Sequence, residues 1–476
     1  MSEENRNPNK QTISPESTHP GAPGRIFDRR HFLGGAALAG LAAATAGGTG
    51  LARATEPNAL EHGPSTEHNL DNALSVRSFG ARGDGKTDDT AAIQKALDTA
   101  GRQRGNLVLL PRGDYLVRGY LHVPKDVTLQ GVFRAPHSRV WKYPSVGSQI
   151  WGSCLLAMGG KGKPDGTPLI SLDENGTLYG LTIFYPEQTC PDPPVEYPWT
   201  VRQLQTGAAI VNVLLQNPWQ GVDFGTVTGG RHYIRGLYGQ PLKTGLFISR
   251  CYDVGRVEDV HFWPFWKNDQ DTMAFTSREA TAFLISRTDW QYMFNCFAIC
   301  HKIGYHFVHT PSGDPNVVLT QCGSDEGAPG TTSTSVRVDG CQSWAGISFL
   351  NGQFGGTVQV GNTNEGPVKF TSCGFWGNDL DSVAVLAGSG LTTFIGCHFA
   401  SWAQRNKKAP AIALRRGRLT VDGCEFQKSR RHIALNHIAL DKGASAAVIM
   451  GNHFHGPARI SNQIGSRASI ATNATN

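Results

Sequence analysis

The 476-residue chain carries 44 Lys and Arg against 38 Asp and Glu, a formal net charge of +6, with 57 Gly and only 17% charged residues. That balance describes a turn-rich chain rather than a helical or disordered one, and nothing in it resembles the basic stripe of a nucleic-acid binder. Residues 1–54 hold +2 of the charge, leaving +4 spread over the rest, which permits an acidic polysaccharide as partner without requiring one.

Taken in chain order, residues 1–24 are polar and poor in apolar side chains, so no fixed structure is expected there. Asp28-Arg29-Arg30-His31-Phe32-Leu33 then precedes an apolar Gly/Ala-rich run ending near residue 46, and Ala52-Arg53-Ala54 fits a signal-peptidase site. This stretch resembles a twin-arginine signal, which implies export to the periplasm or beyond. The run is too short and too rich in glycine to span a bilayer, and no later segment is a candidate, so no stable membrane insertion is expected after processing. The leader and signal therefore occupy 1–54, and a polar linker occupies 55–74.

Order is expected from Ser75-Val76-Arg77-Ser78-Phe79-Gly80-Ala81-Arg82-Gly83-Asp84-Gly85-Lys86-Thr87-Asp88-Asp89-Thr90 onward. Thr87 or Asp88 suits a helix N-cap, and Ile93, Ala96, Leu97 and Ala100 share one helical face. Short apolar strands follow at 107–110, 115–117, 121–123 and 127–129. This segment resembles the opening motif of the pectate-lyase superfamily, of the rhamnogalacturonase/epimerase-like type. The resemblance implies an all-β chain, a single right-handed parallel β-helix (a solenoid) whose N-terminal end is capped by a short helix. It covers about forty residues and speaks to fold, not to reaction. Asp84, Asp88 and Asp89 read as turn and helix-start residues rather than catalytic acids.

The C-terminal half repeats. Phe370-Thr371-Ser372-Cys373-Gly374-Phe375, Phe394-Ile395-Gly396-Cys397-His398-Phe399, Val421-Asp422-Gly423-Cys424-Glu425-Phe426 and Ile449-Met450-Gly451-Asn452-His453-Phe454 share one template. The steps from Cys373 to Cys397, Cys424 and Asn452 are 24, 27 and 28 residues, a coil-length period. Cys322, Cys341, Cys373, Cys397 and Cys424 are then expected as one internal ladder continued by Asn452, acting as small buried hydrophobes. No disulfides are expected among them, and no paired-cysteine spacing indicates zinc. The solenoid is expected over 75–460, with 461–476 a flexible tail.

Laid on the middle of the chain, the template puts Tyr238, His261 and Asp289 in one outward column. Arg235, Glu258, Asp259 and Arg287 stand beside it in the turns. Asp289, His261, Asp259, Glu258, Arg287 and Tyr238 are the candidate catalytic residues. Against this, Asp259 with Arg287 also reads as a turn ion pair, and His261 as a surface histidine. Aromatics in loops 185–199 and 263–269 suit sugar stacking, so the binding candidates are Arg235, Trp290, Trp263, Trp266, Trp199 and Glu187. The polygalacturonase motifs are absent, and Gly361-Asn362-Thr363-Asn364 has Asn where that family needs an acid.

Three readings stay open for a polysaccharide or oligosaccharide ligand. Asp259 or Glu258 with Asp289 would serve a glycoside hydrolase, the leading reading, which needs two carboxyl groups astride the bond. His261, Tyr238, Arg235 and Arg287 would serve a polysaccharide lyase on a uronic-acid polymer. A non-catalytic glycan-binding β-helix needs only the groove and its aromatics. No cofactor is expected; Ca2+ enters only with the lyase reading, and no ligand set for it stands out. The lack of a phosphate loop or dinucleotide fingerprint argues against nucleotide chemistry.

Overall fold

The computed structural model describes residues 72–103, 106–133, 152–191, 193–376, 382–403, 408–427 and 435–476. The expected leader and export signal, and the expected linker as far as residue 71, lie outside the described residues. The strands form a 28-stranded sheet folded along a line of bends and a separate 13-stranded sheet, and their neighbours pair in parallel. The chain therefore winds as a parallel β-helix. Each coil contributes a first and a second strand that meet at a bend, then a third strand on the 13-stranded sheet.

The bend has a residue-level cause. One residue per coil takes the left-handed conformation there, among them Asn212, Gly236, Asp259, Asn295, Gln321, Asn351 and Gly423, with φ between 50° and 66°. Glycine adopts that region freely, and Asn and Asp more readily than other side chains. Gly236 is fixed twice over, since a Cβ there would meet the Asn212 Oδ1 at 2.6 Å.

The residue after the bend points inward, and here the cysteines stand. Cys296, Cys322, Cys373, Cys397, Cys424 and Asn452 occupy successive or near-successive coils and are all buried. They do more than fill space. The Cys397 N–H donates to the Cys424 Sγ at 3.3 Å, the Cys424 N–H to the Asn452 Oδ1 at 2.9 Å, and the Asn452 N–H to the Asn473 Oδ1 at 3.0 Å. Each coil's side chain thus satisfies a backbone donor that the bend removes from the strand ladder. Cys341 is not in this column, contrary to the sequence expectation. It lies at the corner after the third-line strand Thr334–Val338, with its Sγ 3.2 Å from the Asn364 Oδ1. Gly352 holds the ladder position between Cys322 and Cys373, and its N–H meets the Cys373 Sγ at 3.4 Å. All ten cysteines are free and buried.

Beside this column run stacks of phenylalanine. Phe375, Phe399, Phe426 and Phe454 follow at centroid spacings of 5.0, 4.7 and 5.0 Å, close to the rung spacing. At the other end helix α1 (Thr90–Arg102) buries Ile93, Ala96, Leu97 and Ala100 over the first coils. Its N-cap is Asp89, not Thr87 or Asp88, which belong to the strand Asp84–Asp88. The Asp89 carboxylate accepts from the Arg82 and Gly83 N–H groups at 2.7 and 2.9 Å. Three backbone and hydroxyl donors from Lys86 and Thr87 hold Asp84 down to about 2. These acids are occupied with shaping the turn.

Strand pairing does not stop at residue 460. Ala468–Ala471 pairs with the strand Ala444–Met450, and Ala474–Thr475 with His453–Phe454. The expected tail is a further coil. Its aromatic and cysteine are gone, but Asn473 keeps the ladder's hydrogen bond.

Candidate functional site

The site is built on the outer face of three consecutive first-line strands: the start of Tyr233–Gly239, then Gly255–Glu258 and Gln291–Phe294. Ile234, Val257 and Met293 point into the core, so the alternate residues face out. Register makes two outward columns, Tyr233–Arg256–Tyr292 and Arg235–Glu258–Phe294. Tyr292 and Phe294 are exposed.

Within these columns the polar groups are linked. The Tyr233 hydroxyl donates to the Glu258 Oε2 at 3.1 Å. Arg235 is raised above its ordinary value, first by its hydrogen bond to the Tyr233 side chain and further by the charge of Asp259. The Asp259 Oδ2 lies 3.5 Å from the Arg235 Nε, and its Oδ1 accepts from the Asn295 Nδ2 at 2.8 Å. Asp259 is also the bend residue of its coil, at φ 54°. The phenol thus donates to a carboxylate that stands next to Arg235 in register, a setting suited to passing a proton. On the next rung Arg256 is exposed and has no ion pair among the described residues.

The corner leading into these strands adds charge and ring surface. Arg287 pairs with Asp289 and lies over the Tyr252 ring, 5.0 Å from its centroid. Trp290 is 56% exposed directly before the strand Gln291–Phe294. Arg231 meets Asp253 at 3.6 Å.

Of the sequence-predicted residues, Arg235, Glu258 and Asp259 come together on this face, with Arg287, Asp289 and Trp290 at its corner. The others lie elsewhere. His261 is on the second line, stacked in register between Tyr238 and Phe297 rather than on Asp289. Its ring packs against Phe265 and Phe297 at 5.4 Å and Trp263 at 6.0 Å. Tyr238 packs on Phe265 and Phe133. Trp266 sits under Lys267, 4.6 Å from its Nζ, and packs against the core. Trp199 belongs to the third line and stacks on Phe247, and Glu187 pairs with Lys161 at 3.0 Å. The loop aromatics here cover second-line side chains instead of lining an open groove.

Two expectations are therefore corrected. Asp289 is not an outward neighbour of His261, because Ile285-Ser286-Arg287-Thr288-Asp289-Trp290 is the exit of the third-line strand Thr281–Ile285. The coil that follows His261 is Asn295-Cys296-Phe297, whose bend the template missed. Asp259 does not pair with Arg287 either; each has a nearer partner, Arg235 and Asp289. Tyr233 and Arg256 escaped the sequence reading although each is one strand step from a residue it named.

Residues 73–137 match the family described as rhamnogalacturonase A/epimerase, pectate lyase-like. That match covers the opening of the chain, whose strand pairing as a whole is that of a parallel β-helix. Curated relatives are similar to this chain over short stretches, and the chain covers under a tenth of the length of the first of them. Alginate lyase 7 of Azotobacter vinelandii is 58% identical over 45 residues, 10% of this chain and 5% of its own length. A probable glucan endo-1,3-beta-glucosidase of Arthroderma benhamiae is 48% identical over 61 residues, 13% of this chain and 7% of its own. Among solved structures, the mannuronan C-5 epimerase AlgE6 A-module of A. vinelandii aligns over 85% of this chain and 99% of its own at 16% identity and TM-score 0.44. DFA-IIIase of Arthrobacter chlorophenolicus A6, in complex with GF2, aligns over 85% and 98% at 12% identity and TM-score 0.47.

Proposed function

We propose that this pectate-lyase-like β-helix is a carbohydrate-active enzyme that cleaves a uronic-acid polysaccharide by β-elimination on the face of Tyr233, Arg256 and Tyr292. The observation that carries the reading is the Tyr233 phenol bonded to Glu258, which neighbours Arg235 in register, with Arg256, which has no ion pair among the described residues, on the adjoining rung. β-Elimination needs a cation to neutralise the uronate, so that the neighbouring C–H becomes acidic, and a group to take that proton. Arg256 and Arg235 supply the first. Tyr233 supplies the second: having passed its own proton to Glu258, it takes the C5 proton. The C4–O bond to the next sugar breaks as the C4=C5 double bond forms, and the leaving oxygen takes up the proton from the tyrosine, which recovers its own from Glu258. Tyr292, Phe294 and Trp290 offer ring surface for the flanking sugars.

A glycoside hydrolase instead needs a carboxyl group that arrives protonated. Glu258, Asp259 and Asp289 are each engaged as acceptors, by Tyr233, by Arg235 with Asn295, and by Arg287. That arrangement favours elimination over hydrolysis. Alginate lyase 7 and the mannuronan epimerases, by their names, concern uronic-acid polymers, which agrees with the substrate class. A polysaccharide panel scored both for reducing ends and for the ultraviolet absorbance of unsaturated uronate tests the proposal. Both signals on an acidic polymer are expected. Reducing ends without the absorbance would establish hydrolysis and overturn it.

A further inference from the structure

A second group of chemistry-bearing side chains lies at the far end of the solenoid, on the second-line face. His398, Glu425 and His453 stand on three consecutive rungs of one outward column. His455, two residues beyond His453, joins the same face. The Glu425 carboxylate is held from both sides: its Oε2 lies 3.3 Å from the His398 Nδ1 and its Oε1 2.7 Å from the His455 Nε2. Glu425, His453 and His455 line a concavity of about 380 Å³ with Thr475 and Asn476. Between a third and a half of each of the His398, Glu425 and His455 side chains stays open to solvent.

We infer that this concavity is a second, non-catalytic carbohydrate site that takes the vicinal diol of a single neutral sugar residue. A carboxylate is the natural acceptor for two adjacent hydroxyl protons, and its orientation here is already fixed by two imidazoles, so little ordering is left to the binding event. The His453 and His455 imidazoles, with the Thr475 hydroxyl and the Asn476 amide, supply complementary donors around the same hollow. Its volume suits one sugar ring. The bound group is neutral, because Glu425 faces the ligand and a uronate would meet like charge. A transition-metal ion fits less well: among the described residues no three His, Cys, Asp or Glu side chains converge on a common centre, and the two imidazoles grip opposite carboxylate oxygens. The inference is independent of the chemistry proposed for the Tyr233 face, which lies on another strand line.

The test uses the full chain with Tyr233→Phe, so that turnover does not complicate binding. Methyl glycosides of mannose, galactose, glucose and rhamnose are titrated against it by ligand-observed NMR, with ZnCl2 in a parallel series. One glycoside is expected to bind at roughly millimolar Kd, weakened at least ~10-fold in Glu425→Gln and in His455→Ala, with melting temperatures unchanged. Binding that survives both substitutions, or no binding by any glycoside, overturns the inference. So does Zn2+ binding that both substitutions abolish in the absence of glycoside binding, which makes the cluster a metal site. Glu425→Gln alone should keep full polymer cleavage, so a failure of the β-elimination reading leaves this result readable.

Discussion

Tyr233→Phe removes one oxygen atom from the proposed site and little else, so it separates chemistry from folding. The structural loss is the hydrogen bond from the hydroxyl to Glu258, 3.1 Å long. A bond to a charged group contributes about 1.5–3 kcal/mol when both partners are dry. Glu258 and Tyr233 are only half-buried, so water replaces the lost donor and the net cost falls to about 1 kcal/mol. In a chain of this size that moves the melting temperature by no more than about 4 °C. Removing a proton-transfer group costs about 10²–10⁴-fold in rate. The expected outcome is therefore a variant that melts near wild type, binds acidic polymer with unchanged Kd and loses at least ~99% of its kcat for production of unsaturated uronate. The assay is initial ultraviolet absorbance change against polymer concentration, with binding measured separately by co-sedimentation. A variant retaining more than about a third of wild-type kcat would show that the phenol carries no proton, and the reasoning from the Arg235–Tyr233–Glu258 chain would fall with it.

Arg256→Ala should raise KM for an acidic polymer by about 10–100-fold, the loss of one charge-assisted contact, and leave any binding of a neutral polymer untouched; an equal effect on both would deny it a role in reading charge. Phe399→Ala should cost about 3–5 kcal/mol, near the upper end because Phe375 and Phe426 are pinned to their rungs and cannot collapse into the hole; urea midpoints at unchanged slope measure it, and a cost under about 1.5 kcal/mol would refute the stacked column. Burial holds His232 and His301 down to about 4, so the unfolded chain takes up protons that the folded one refuses. Their contribution to stability is complete above about pH 6.5 and is lost as pH falls toward 4; His301→Gln should flatten that slope in denaturant titrations, and an unaltered slope would assign it to other groups. The ten cysteines should resist iodoacetamide in the native state and all react after unfolding without reductant, since burial pushes thiols such as Cys251 up to about 11 and Cys341 up to about 12; protection of fewer thiols, by mass spectrometry, would contradict the ladder.

The fold was legible in the sequence wherever a local pattern had a single physical cause. The face of α1 shows as Ile93, Ala96, Leu97 and Ala100 because only a helix unites that spacing. Cys373, Cys397, Cys424 and Asn452 show at coil-length steps because each must place an acceptor beside the bend of the coil before it. Legibility fails where two corners of the coil wear the same residues. Val338-Asp339-Gly340-Cys341 and Val421-Asp422-Gly423-Cys424 are nearly identical strings, yet Gly423 sits at φ 61° in a bend while the other string leaves a third-line strand. What separates them is the neighbouring coil, which a local template does not contain.

The same ambiguity separates the expected site from the one proposed here. Residues 285–290 match the bend template, which places Asp289 above His261 on the second line, where aromatic rings close over the histidine. The true bend at Asn295 lies 36 residues after Asp259, because the coil between them carries the loop 263–269 and helix α2 (Gln270–Glu279). An insertion of that length costs the solenoid little, since it leaves the pairing of Gly255–Glu258 with Gln291–Phe294 intact. It also removes the periodicity by which the next coil would be recognised. The residues hidden by that break, Tyr292 and Phe294, are the ones that complete the columns of Tyr233 and Arg235. In a solenoid, the coil that departs from the repeat is where side chains are released from the core's spacing, and the proposed site lies beside it.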